Sequence, residues 1–280
     1  MNFEEKLLSA SRKNDSLLCL GLDPDPELMP QLSVAEFNKA IIAATSDLVC
    51  AYKPNLAFYE ALGVEGLAAL EKTVESIPDY IPVIGDAKRG DIGNTARAYA
   101  KALFSAFGFD AATVNPYLGW DSIEPFLQYA DKGIFLLCRT SNPGACDFQD
   151  LLCSRGGTSY PLFEAVAIRA WEWHQEYSNI GLVVGATYPE ELKRIRRLCP
   201  NMLLLIPGIG AQGGDLATAV KYGINAEGGK AIFASSRQIL YASKGGDFAA
   251  AARQAALSLR EQINRYLNSS ATCDGTDTCV

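Results

Sequence analysis

Eight short apolar runs, separated by helix-like segments, constrain this chain more than any other feature. They are LLCLGLD (17–23), LVCAYKP (48–54), PVIGDAK (82–88), AATVNP (111–116), IFLLCR (134–139), GLVVGA (181–186), LLLIPG (203–208) and AIFASS (231–236). The runs are nearly continuous in hydrophobicity rather than alternating, as strands buried on both faces should be. Between them, SVAEFNKAIIAATSD, GVEGLAALEKTVESI, TARAYAKALFSAF and TYPEELKRIRRL have helical character. The last places Thr187 at an N-cap position, with Pro189 and two glutamates in the first turn. Strand and helix alternating eight times predicts an α/β fold, a single-domain (β/α)8 TIM barrel, and 280 residues are enough for one. A doubly wound open sheet is the alternative. The absence of a nucleotide-fold glycine signature favours closure.

No linker splits the chain, so the barrel domain is expected to span residues 1–268. The polar tail 269–280, SSATCDGTDTCV, is expected to be flexible. The longest irregular stretch, RTSNPGACDFQDLLCSRGGTS (139–159), follows the fifth run, and long loops at that end of a barrel are often functional.

Composition removes several classes of function. A formal net charge of −7 is wrong for a nucleic-acid scaffold, although it leaves room for a local basic pocket. The N-terminal MNFEEKLLSASRKND reads as a short amphipathic helix without a signal-peptide core. No run of about 18 apolar residues suggests a membrane span, so a soluble, cytoplasmic protein is expected. The eight cysteines form no CxxC pair. Cys19, Cys50 and Cys138 fall inside apolar runs, where buried reduced thiols are the ordinary reading. Cys273 and Cys279 lie in the tail, where a disulfide is a remote alternative. The one histidine, His174, sits mid-helix between Trp171 and Trp173. There it suits neither a zinc site nor a Ser-His-Asp triad and reads as a packed residue.

Chemistry concentrates where the runs end. Asp23, Lys53, Asp86 with Lys88, Asn115, Arg139 to Ser141, and Ser235 to Arg237 all fall at C-terminal strand ends, the rim where such barrels build active sites. Any one of them could be a strand meeting solvent. Lysines and aspartates on several strands are poorly explained that way. Asp86 and Lys88 are two apart on a strand and share a face. Asp91 follows Gly90 at the opening of the next helix, where a capping role alone would explain a carboxylate. A lysine held between carboxylates keeps its proton and can deliver it to a carbanion. After the seventh run comes the glycine-rich LIPGIGAQGGD, and after the eighth SSRQI. Loops at these positions often bind phosphate, and Arg237 adds a forked donor suited to its oxygens.

The motif DAKRGDIGNT resembles the D-x-K-x-x-D signature of the orotidine 5′-phosphate decarboxylases. LGLDPDP, AYKPNLAFYE, VNPYLGWDSIEPF, RTSNPG, GATYPEE, PGIGAQGGD and SSR follow in that family's order across nearly the whole chain. The LDPDP, NPYLG and TSNPG versions look like its longer bacterial subgroup (type 2). The resemblance implies conversion of orotidine 5′-monophosphate to UMP and CO2, the last step of UMP synthesis, with no cofactor and no metal. Lys88 would then protonate C6, Asp86 would lie near the departing carboxylate, and Lys53 would hold the charge array and contact the ribose. Asp91, with Ile92 and Thr95 beside it, would reach into the neighbouring subunit's site, implying a homodimer with shared sites. Asp23 would contact a ribose hydroxyl, Ser141 the pyrimidine edge, and Gln212 and Arg237 the phosphate, with Ser236 also among the substrate-binding residues. Pro207 would sit on a loop that closes over the substrate.

Two rivals remain. A Mg²⁺-dependent sugar-phosphate decarboxylase of the same superfamily would place an acidic residue at the second strand end, where this chain has Lys53. A catalytically silent phosphate-binding barrel would have no reason to keep Asp86, Lys88 and Asp91 together.

Overall fold

The computed structural model describes residues 1–209 and 214–271, with the side chains of Arg155, Ser270 and Ala271 left aside. Ten strands run in chain order. They are β1 (Leu18–Leu22), β2 (Ala51–Pro54), β3 (Ile84–Arg89), β4 (Ala111–Val114), β5 (Gly133–Arg139), β6 (Leu152–Arg155), β7 (Thr158–Pro161), β8 (Ile180–Val184), β9 (Leu203–Pro207) and β10 (Ala231–Ser235). Eight of them, all but β6 and β7, form one parallel sheet in the order β2-β1-β10-β9-β8-β5-β4-β3. Parallel bridges Tyr52↔Val83 and Asn55↔Asp86 join its two outer strands. The fold is therefore a (β/α)8 TIM barrel, with each of the eight expected runs present as a strand.

The continuous hydrophobicity of the runs has a direct cause, because each strand serves two cores. Leu18, Leu20 and Leu22 pack outward against the helices, in a cluster with Phe37, Ile41, Leu182 and Phe233. Cys19 alternates with them and points into the barrel, among Ala51, Ile84, Ala111, Phe135, Val183, Leu205 and Ile232. The interior takes mostly small or medium side chains, as an eight-stranded barrel just wide enough to be filled requires. Cys19, Cys50 and Cys138 are free and fully buried, and burial pushes the Cys19 thiol up to about 12. Cys273 and Cys279 lie outside the described residues.

The helices begin where local sequence lets them. Ser33 accepts the Glu36 N–H while the Glu36 carboxylate accepts the Ser33 N–H, a capping box that opens the helix Val34–Thr45. The helix Pro189–Leu198 differs from expectation by one residue, since its N-cap is Tyr188 and has no side-chain cap. Thr187 instead donates its hydroxyl to the Ser141 carbonyl, 3.1 Å away. Pro at the first helical position supplies the start without a cap. Phe248–Ala271 forms one last helix, which continues past residue 268.

The stretch expected to be irregular after β5 contains a 3-10 turn, Pro143–Asp147, and then the antiparallel hairpin β6–β7. Gly156 and Gly157 carry φ of +60° and +82°. Two consecutive left-handed residues make the tight two-residue turn that matches strand twist, and glycine adopts both without strain. His174 is half-buried and stacks on Trp171 with 5.5 Å between centroids. Its burial pushes the imidazole pKa down. Among the described residues no helix is long and apolar enough to cross a membrane.

Candidate active site

The C-terminal ends of the strands surround a cavity of about 630 Å³. Lys53 from the end of β2, Asp86 and Lys88 from β3, and Thr113 from β4 form its charged wall. The Asp86 carboxylate is split between two cations. Oδ2 accepts from Lys53 Nζ at 2.7 Å, and Oδ1 accepts from Lys88 Nζ at 2.5 Å. Lys53 and Asp86 are 8 % and 9 % exposed, whereas the Lys88 side chain is about half open, at 49 %. Lys53 and Asp86 are thus the buried part of the array, and Lys88 is its most open member on the cavity wall.

Burial alone would push the Asp86 carboxyl up, but Lys53 and Lys88 outweigh it and hold the group well below the usual carboxylate range. Burial likewise works against the Lys53 ammonium. The Asp86 and Asp23 carboxylates outweigh it and raise the pKa above the ordinary lysine value. The buried Lys53–Asp86 pair is therefore an ammonium against a carboxylate at any physiological pH.

Sharing a face, expected from the two-residue spacing, is borne out with an added local cause. Pairing between β3 and β4 shifts register between Gly85 and Arg89, and Lys88 has a left-handed φ of +48°. That conformation costs an L-residue about 1–2 kcal/mol, so something must hold it. Thr113 does so at both ends. Its Oγ1 accepts the Lys88 backbone N–H at 2.9 Å and donates to Asp86 Oδ1 at 3.0 Å. Sequence reasoning missed Thr113. The available signal was a lone hydroxyl in the otherwise apolar run AATV, in a strand buried throughout.

Beside this wall, at the ends of β1 and β10, Ser236 Oγ donates to Asp23 Oδ2 at 2.6 Å. Among the described residues Asp23 Oδ1 is buried without a hydrogen-bond partner, an acceptor left open at the cavity edge. The Tyr241 hydroxyl donates to the Asp23 carbonyl and accepts the Asp25 N–H, both at 2.7 Å, which fixes the turn carrying Asp23. Gly21 is obligatory here, because a Cβ would lie 2.8 Å from Ser236 Cβ. Ser141, Pro207, Ser236 and Arg237 also line the cavity, and Arg237 is exposed. Gln212 lies outside the described residues.

The sequence-predicted set divides in two. Lys53, Asp86, Lys88, Asp23, Ser141, Pro207, Ser236 and Arg237 converge on one cavity, while Asp91, Ile92 and Thr95 do not line it. Asp91 is also not the cap of its helix. The N-cap of Gly93–Lys101 is Ile92, with no side-chain cap, and Asp91 Oδ1 accepts the Ile92 N–H at 2.8 Å. Ile92 is 53 % exposed, an isoleucine facing outward beside a carboxylate that its own cavity does not use.

A family model described as "Orotidine 5'-phosphate decarboxylase / HUMPS family" matches residues 16–255. The chain belongs to the orotidine 5′-phosphate decarboxylase family. An orotidine 5′-phosphate decarboxylase of Dehalococcoides mccartyi is 55 % identical over 267 residues, which cover 95 % of this chain and 98 % of that one. The one from Thermomicrobium roseum is 51 % identical over 271 residues, covering 95 % and 96 %. Among solved structures, that of Leishmania donovani OMP decarboxylase superposes with a TM-score of 0.84 at 40 % identity and covers 96 % of this chain and all of that one. Both curated relatives match over nearly their full length, so the likeness takes in the whole barrel and its rim.

Proposed function

We propose that the protein decarboxylates orotidine 5′-monophosphate to UMP and CO2 without a cofactor, through the Lys53–Asp86–Lys88 array. The observation that carries this reading is the division of Asp86 between a buried lysine and a half-open one on the cavity wall. The Arg237 guanidinium holds the phosphate and Asp23 Oδ1 accepts a ribose hydroxyl, so the pyrimidine lies toward Lys88 and Ser141. The bond from C6 to the carboxylate carbon breaks and its electron pair stays on C6. CO2 leaves, and the Lys88 ammonium gives C6 its proton. Lys88 then regains a proton from solvent.

Repulsion between Asp86 and the substrate carboxylate contributes little of the rate. Two like charges ~4 Å apart repel by roughly 1–4 kcal/mol at effective dielectrics of about 80 to 20, whereas enzymes commonly lower barriers by about 8–23 kcal/mol. The larger share comes from a fixed ammonium beside the forming carbanion and from phosphate binding used to close the site.

A homodimer completes the site in this reading. Asp91, absent from its own cavity, extends with Ile92 and Thr95 into the cavity of a second copy. The expected compartment is the cytoplasm. Purified protein mixed with orotidine 5′-monophosphate should lose the orotate absorbance and form UMP at a rate unchanged by EDTA. No UMP would overturn the activity, and loss of turnover in EDTA would favour the Mg²⁺-dependent relatives.

A further inference from the structure

The segment after β5 is held in a way that neither its sequence nor the proposed chemistry explains. Arg139, at the end of β5, is 1 % exposed and stands among the largest fully buried side chains. Its guanidinium lies 3.9 Å above the Tyr188 ring. It also faces Asp150 through two contacts, Nη1 to Oδ1 at 3.1 Å and Nη2 to Oδ2 at 3.3 Å. Asp150 itself is 44 % exposed. A buried cation reaching out to a half-exposed carboxylate costs desolvation that a plain apolar contact would not. Such a pair is better suited to fixing geometry than to adding stability.

What it fixes is next to it. Gln149, the neighbour of Asp150, reads Thr140 with both ends of its carboxamide. Oε1 accepts the Thr140 N–H at 2.9 Å, and Nε2 donates to Thr140 Oγ1 at 2.8 Å. Thr140 Oγ1 in turn donates to Asn142 Oδ1 at 2.7 Å. From the other side, Thr187 Oγ1 donates to the Ser141 carbonyl at 3.1 Å and the Tyr188 hydroxyl to the Asn142 carbonyl at 3.3 Å. Gly185 lets the backbone pass so close that a Cβ there would be 2.8 Å from Ser141. Gln149 is itself anchored, since its carbonyl accepts the Phe163 N–H at 3.1 Å. Thr140, Ser141 and Asn142 all line the cavity.

We propose that Gln149 and the Arg139–Asp150 pair are positioning residues that strap the Thr140–Asn142 wall against the pyrimidine, so that base recognition depends on a loop that never touches the base. The inference rests on the orientation given above, with phosphate at Arg237 and base at Ser141. The strap acts on one end of the ligand only. Its loss loosens the wall beside the base and leaves the phosphate end as it was.

The test compares two ligands that differ in the base. Dissociation constants for UMP and for ribose 5-phosphate are measured by calorimetry on the full-length wild type, Asp150→Asn and Gln149→Ala. Both changes are at positions with partial solvent access, and Gln149→Ala leaves the ion pair in place should Asp150→Asn fail to fold. UMP should bind about tenfold more weakly to either variant, with ribose 5-phosphate within twofold of wild type. Arg139→Lys, which keeps the charge but loses the fork, should fall between them and wild type. Equal losses for both ligands, or none, would overturn the strap. Wild-type protein that makes no UMP from orotidine 5′-monophosphate would instead sink the decarboxylase reading, whatever the variants bind.

Discussion

At the N-terminal end of the barrel the chain closes on itself, whereas at the C-terminal end it leaves polar groups unspent. Phe3, from the first helix, plugs the lower opening edge-on to Phe135 with 5.7 Å between centroids. Gly133 makes room for it, because a Cβ there would meet the Phe3 ring at 2.3 Å. A cavity of about 270 Å³ remains beside Phe3, yet the charges lining it are engaged. Glu4 pairs with Lys230, Glu5 closes a capping box with Asn2, and Lys132 pairs with Asp131. At the upper rim Asp23 Oδ1 has no hydrogen-bond partner among the described residues, Lys88 is half open, and Asp91 does not line its own cavity. On the proposed reading the same strands carry stability at one end and chemistry at the other, and substitutions at the two ends should fail in opposite ways.

The largest separation is expected for Lys88→Ala. Turnover should fall by roughly 10²–10⁴-fold, the range for losing a positioned proton donor, while the thermal midpoint stays close to wild type. Steady-state kinetics and a melting curve on one sample decide it, and normal turnover would remove Lys88 from the reaction. Phe3→Ala should do the reverse. Loss of a buried aromatic costs about 3–5 kcal/mol, seen in denaturant unfolding, with kcat of the folded protein unchanged.

Acid titration sharpens the contrast. The folded pKa of Asp86 is depressed, so its contribution to stability is complete above the unfolded carboxylate value near 3.9. That contribution is lost as pH falls from there toward the folded value. Asp86→Asn should flatten the fall of unfolding free energy in that acid window by up to about 1.4 kcal/mol per pH unit, one proton's worth. An unchanged slope would mean that the two lysines do not hold the carboxylate down. The smallest effect concerns the strained backbone. Lys88→Gly should be more stable than Lys88→Ala by about 1 kcal/mol, since both lack the side chain and only alanine pays for φ > 0.

Much of this contrast is legible in the sequence, and the rest is not for identifiable reasons. The eight strands are readable because burial on both faces leaves unbroken apolar runs, and the polar residues then mark one rim. A period of two pairs Asp86 with Lys88, whereas the structure adds a register shift and a left-handed lysine held by Thr113. That contact spans 27 residues, and no local period encodes it. Arg139, Gln149 and Asp150 likewise meet across an aperiodic loop. The Gly156-Gly157 turn, by contrast, is a readable hairpin signal inside an otherwise irregular stretch. Asp91 precedes a helix, which by itself suggests a cap, and only the observed N-cap at Ile92 removes that role.

In the proposed homodimer the open rim is completed by a second copy. Lys88→Ala and Asp91→Ala proteins, each inactive alone, can be mixed under conditions of subunit exchange and assayed with orotidine 5′-monophosphate. Each hybrid dimer would then hold one intact site, and random exchange should restore about a quarter of wild-type activity. Activity that stays at the level of the separate variants, despite demonstrated exchange, would contradict a site shared through Asp91.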